Sequence, residues 1–136
     1  MTILRNFLAV MLGLLIGGFV NMAIVTAGSL LILPPPGIDP TNVESLRAGI
    51  DRLKPVHYVA PFLAHALSTF AGALVAALVS GSGRRIVAGI VGLFFLSAGI
   101  AAAAMMPAPR WFVFIDLVFS YVPMAWLGFR LSGKTP

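Results

Sequence analysis

Three observations predict an all-α membrane protein, a bundle of four transmembrane helices with a short amphipathic interfacial helix between the first and second spans. Of 136 residues, 60% are hydrophobic and only 10% are charged, against about 45–50% and about 25% in an average soluble domain. Mean hydropathy is +1.02. The apolar residues gather in four long blocks instead of being scattered through a polar background. A soluble fold of this size needs charge to cover its surface, so residues 1–136 read as a single integral membrane domain.

The first block, residues 7–33, holds no charged side chain. About 20 helical residues span a ~30 Å hydrocarbon core, so this block is long enough to tilt or to flex at Gly17-Gly18. Arg5 ahead of it resembles a signal-peptide start, but a signal core is normally about 7–15 residues. An uncleaved helix is expected.

Pro34-Pro35-Pro36 ends that helix and extends as a short polyproline spacer. Thr41-Asn42-Val43-Glu44 then fits a capping box, with the Thr41 hydroxyl at the N-cap. Behind it Val43, Leu46, Ile50 and Leu53 recur at helical spacing, opposite Glu44, Arg47, Asp51 and Lys54. Residues 41–54 are thus a short amphipathic helix that lies on the membrane surface or lids the bundle.

The remaining spans cover residues 56–79, 86–106 and 111–131. Ser80-Gly81-Ser82-Gly83-Arg84-Arg85 and Pro107-Ala108-Pro109-Arg110 connect them. Links this short make consecutive helices antiparallel neighbours. Pro61 and Pro123 lie inside spans, where proline commonly kinks a helix. Interrupted helices beside a polar site are a feature of transporters.

Topology follows from the basic residues. Arg5, Arg84, Arg85, Arg130 and Lys134 share one face with no acid; Arg47, Arg52, Lys54 and Arg110 lie on the other with Asp39, Glu44 and Asp51. The unopposed Arg pair in a short loop places both termini in the cytoplasm, and in a prokaryote the membrane is the inner one. Tyr58 and Trp111 then mark the outer interface and Trp126 the inner one. Basic residues at span ends serve topology and lipid headgroups, so membrane lipids are the expected contacts and nucleic acid is not.

Helices in lipid associate by close packing, which small residues permit. Ala9, Gly13 and Gly17 form such a stripe on the first span. Ala60, Ala64, Ser68, Gly72 and Ala76 do so on the second, and Ala88, Gly92, Gly99 and Ala103 on the third. These stripes predict packing within the chain before dimerisation, although a homo-oligomer or a larger membrane complex is an expected setting.

Chemistry concentrates at few positions, because polar side chains in a bilayer are costly and face the protein interior. Asp116 is the one acid inside a span. His65 lies at a comparable depth, roughly 12 Å against roughly 8 Å at 1.5 Å per residue, within reach of a direct or water-bridged pair. Ser68, Thr69, Ser120 and Tyr121 stand close enough in sequence to complete a network, and Asn21 sits mid-way along the first span. A His65–Asp116 pair is a proton-responsive site near the outer leaflet, the floor of a polar cavity open to the outer face, or a packing clamp. Asp116 has a further option, first-turn amides or Arg110.

No metal site or cofactor is expected. The chain has no cysteine. His57 and His65, about 12 Å apart along one helix, cannot ligate one haem iron from opposite sides. Motifs for a Ser nucleophile, a zinc hydrolase or a phosphate loop are missing. Three functions remain: a small transport or permeation protein, an accessory or scaffold subunit of a larger complex, and a membrane-embedded lipid-modifying enzyme using the His–Asp pair.

Overall fold

A computed structural model describes residues 1–133; Lys134, assigned above to the basic face, lies outside the described residues. The protein is an all-helical membrane bundle with four segments long and apolar enough to span a bilayer, and no strand occurs among the described residues.

Helix α1 (Thr2–Leu31) has 30 residues, about 45 Å at the α-helical rise, which exceeds the ~30 Å hydrocarbon core. It starts earlier than the apolar block and runs unbroken through Gly17-Gly18, so the expected flex point is absent. The early start places Arg5 and Asn6 on the helix, where they bind the end of the second span. The Arg5 guanidinium donates to the Val79 carbonyl at 2.8 Å, and the Asn6 carbonyl accepts from the Gly81 amide at 2.9 Å.

The connector is shorter in helix than its periodicity suggested. Helix α2 (Val43–Gly49) gives way to a 3₁₀ turn at Ile50–Arg52. Its cap is Asn42, whose side chain accepts from the Ser45 amide at 3.0 Å. Thr41, expected in that role, instead donates its hydroxyl to Asp39 at 2.7 Å. Asn is at least as good an N-cap as Thr, and the Asp39 carboxylate draws Thr41 away. Arg52 ties the connector to the Pro36 carbonyl at 2.7 Å.

A second 3₁₀ turn, Pro55–Tyr58, leads into α3 (Val59–Val79). Pro61 falls in the first turn of α3, where its missing N–H is one of the groups without a helical partner anyway. The expected mid-span kink there does not arise. Helix α4 (Arg84–Met105) follows after Gly83, whose φ of +60° turns the chain.

The last span is two helices, α5 (Arg110–Phe119) and α6 (Val122–Leu131), with a break at Ser120–Tyr121. Pro123 is the cause, acting upstream of its own position. It offers no N–H to the Phe119 carbonyl and crowds it.

Helix α3 is central, packing against α1, α4 and α6. Its core is built from small side chains, among them Ala73, Ala76, Ala77, Ala88 and Ala125. The α1–α3 contact is backbone on backbone. A Cβ on Gly13 would stand 2.5 Å from the Gly72 carbonyl oxygen, and one on Gly72 would stand 2.7 Å from that of Gly13. Gly17 meets Ser68 and Phe95 in the same way, and Gly92 meets Ala125 of α6. The small-residue stripes are thus spent inside the chain, and dispersion over these close surfaces holds the bundle together.

The start of α1 and the end of α6 share one face of the bundle with the α3–α4 loop, where Asn6 accepts from Gly81 and Arg84 reaches the Ser132 carbonyl at 3.4 Å. Arg130 lies over the Trp126 ring on that side, at 5.2 Å from its centroid. On the connector face Tyr58 is buried, edge-on to Trp111 at 5.6 Å and tilted on Phe112 at 4.9 Å. It is packed inside, not displayed in an aromatic belt, because the 3₁₀ turn rotates it toward α5.

Candidate functional site

One acid inside four apolar spans must find partners, and Asp116 of α5 finds three. It is 5% exposed. His65 Nδ1 lies 3.0 Å from one carboxylate oxygen and 2.9 Å from the other. The Ser120 hydroxyl donates to Oδ1 at 2.9 Å and the Tyr121 hydroxyl to Oδ2 at 3.1 Å. A carboxylate only accepts, so the imidazole presents Nδ1–H to it and the tautomer follows. The alternatives for Asp116, first-turn amides or Arg110, are not used.

The helix break is what makes this set possible. Ser120 sits one turn beyond Asp116 and reaches it along the helix. Tyr121 would point away on a continuous helix; at the break its ring instead turns back over the site, stacked on His65 with centroids 5.8 Å apart. The ring lies against Gly99 of α4, where any side chain would meet it.

Ser68 and Thr69 do not join the carboxylate. Their hydroxyls donate to the His65 carbonyl at 3.0 and 2.8 Å, the usual fate of hydroxyls three and four residues on in a helix. They brace the backbone that carries His65. Asn21 is half-buried on α1 and has no side-chain hydrogen bond to the set among the described residues. It lies one turn short of Val25, where α1 first lines the cavity above the pair.

The cavity that the pair was expected to floor measures about 400 Å³, and its walls are mostly apolar where a polar cavity was expected. Its deepest residues are Val25, His65, Gly99 and Asp116, each the innermost contribution of its helix. Ile32 just past α1, Ala102 of α4 and Met106 just past it, and Phe112 and Val113 of α5 make apolar walls. Leu46 and Leu53 of the connector cover the open end, so the amphipathic segment acts as a roof. Among the described residues no Lys or Arg lines the cavity. His57 lines it near the roof, with its ring nitrogen engaged by the Lys54 amide at 2.9 Å.

Gly99 and the roof leucines are the residues that sequence reasoning placed but did not connect with the site. Gly99 stood on a packing stripe, and the one hint of more was its spacing of seven from Gly92. Among the described residues no three His, Asp or Glu side chains converge as a metal-binding group. Chemically, the site offers an imidazole backed by a buried carboxylate at the bottom of a largely apolar chamber. Compared with family models, curated protein sequences and solved structures, the chain finds no match.

Proposed function

We propose that this multi-pass membrane protein is a small transport protein, in which His65 and Asp116 form a protonatable substrate site. One observation carries the reading: the pair is the polar floor of a largely apolar cavity, with His65 contacting both Asp116 and the chamber. A packing clamp has no need of a chamber above it, since an empty apolar space forfeits dispersion contacts.

The broken fourth span supports the same reading. Discontinuous helices form the binding sites of many transporters, where the ends of the half-helices meet the substrate. Here the break residues Ser120 and Tyr121 are themselves donors to Asp116. Protonation of the pair and the angle between α5 and α6 are therefore linked through the same hydrogen bonds. With the acid-free, Arg-bearing face in the cytoplasm, the cavity opens outward, towards the periplasm in a bacterial inner membrane.

The test is proton flux in vesicles carrying the purified protein and an enclosed pH-sensitive dye. After an imposed pH step, the wild type should dissipate the gradient faster than empty vesicles, and Asp116→Asn should not. Equal rates for wild-type and empty vesicles reject the proposal.

A further inference from the structure

We infer that the cavity takes an amphipathic organic cation, an alkylammonium head on His65 Nε2 with its hydrocarbon tail along the apolar walls. The inference rests on reading the cavity as the substrate site and names the class of substrate.

Asp116 itself is not the docking point. Its two oxygens already accept from His65 Nδ1, Ser120 and Tyr121, which leaves a carboxylate with little capacity for a ligand donor. His65 differs. Its Nδ1 is committed to Asp116, its side chain keeps 27% exposure, and it lines the cavity. Nε2 has no protein hydrogen-bond partner among the described residues. In the tautomer that Asp116 imposes, Nε2 of the neutral ring is an acceptor, so the floor presents one basic nitrogen.

Charge then selects the ligand. Among the described residues Asp116 is the only Asp, Glu, Lys or Arg lining the cavity; an ionised Asp116 beside a neutral imidazole gives the site a net charge of minus one. An ammonium group brings it to zero while donating to Nε2. A carboxylate ligand would need the imidazolium and would still leave one uncompensated negative charge in an apolar chamber, which is costly. A neutral alcohol could donate but would leave the same charge unpaired.

Binding an ammonium group requires an unprotonated Nε2. A ligand arriving at a protonated site therefore displaces one proton to water and keeps its own charge. The groups facing the His65 ring are Asp116 from α5 and Tyr121 from the break; α1 and α4 line the floor with Val25 and Gly99, which do not titrate. Cation and proton thus compete for one nitrogen.

The probes are octylamine, octanoate and octanol, titrated into the full chain in uncharged nanodiscs. Octylamine should bind saturably, more weakly at acid pH, with release of up to one proton per molecule bound. The other two should show only the partitioning seen with empty discs. His65→Asn keeps an N–H donor for Asp116 and lacks Nε2, so it should lose octylamine binding by tenfold or more. Nitrogen NMR of the wild-type His65 ring supplies a readout that does not depend on the variant folding: octylamine should shift Nε2 and leave Nδ1 nearly unmoved. Saturable octanoate binding, pH-independent octylamine binding, or an unmoved Nε2 would overturn the inference. Octylamine binding without proton flux rejects the transport reading alone, and flux without octylamine binding rejects this inference alone.

Discussion

Tyr121 rests its ring against the bare backbone of Gly99, so close that a Cβ at position 99 would lie 2.8 Å from Tyr121 Cε2. The same placement brings the Tyr121 hydroxyl to 3.1 Å from Asp116 Oδ2. A glycine on α4 therefore governs a hydrogen bond made between α5 and the start of α6. Gly99→Ala must push a rigid ring, and the expected destabilisation is about 1–3 kcal/mol, the range for overpacking. Gly18→Ala, with nothing within 4 Å of its added Cβ, should be neutral or stabilising by up to about 1 kcal/mol. Unfolding in detergent distinguishes them, and equal stability would show that the ring is free to move.

Asp116→Leu removes the acceptor for His65, Ser120 and Tyr121 at once. Buried donors left unpaired cost about 1–3 kcal/mol, so thermal stability should fall clearly. Asp116→Asn retains an acceptor oxygen and should lose less. Its signature is the His65 ring: without the carboxylate, nitrogen NMR should show the Nδ1–H tautomer no longer dominant. An unchanged tautomer in Asp116→Asn would contradict the role assigned to the carboxylate.

Gly13 and Gly72 meet backbone to backbone, so a methyl on either should separate α1 from α3. Gly13→Ala and Gly72→Ala should each destabilise by about 1–3 kcal/mol. The double variant should cost less than the sum, because one separation relieves both clashes; contacting residues show coupling of this kind. Strict additivity in a double-mutant cycle would mean that the two glycines do not share a contact.

Pro123→Ala restores an N–H for the Phe119 carbonyl and removes the ring that crowds it. Helices α5 and α6 should then straighten toward one continuous helix, drawing Tyr121 off the site. Spin labels at the exposed positions Phe114 and Leu127 should move apart, and the proton flux proposed above should fall. An unchanged label distance would place the cause of the break elsewhere.

In the connector, the Thr41 hydroxyl and then its amide hold the Asp39 carboxyl below the usual range. A depressed carboxyl stabilises the folded connector at pH above the ordinary Asp range, and that contribution is lost as pH falls through the lowered value. Carbon NMR should show Asp39 titrating below an aspartate in an unstructured peptide. Thr41→Val should raise the midpoint; no movement would remove Thr41 as the cause.

How much of this was legible depends on the coordinate. Position along a helix axis can be counted from residues, and counting set Asp116 and His65 at matching depth, where they do meet. Rotation about the axis is decided by neighbours. Ser68 and Thr69 had the right depth for the network but turn to the His65 carbonyl. Asn21 had the right face of α1 for packing but stops a turn short of the cavity. The Pro123 interruption was expected, yet its effect falls at Ser120–Tyr121, because proline disturbs the carbonyl four residues before it.

By itself the sequence determined the solvent, the four spans, the basic face and the one acid that a bilayer would not tolerate unpaired. Each of these is a one-dimensional property of hydropathy and charge. Only the tertiary structure decided that Asp116 is satisfied by three donors, that Gly99 makes room for Tyr121, and that Leu46 and Leu53 roof a chamber over His65. A cavity is the space that helices fail to fill, and that depends on how they rotate and cross. No single helix encodes it.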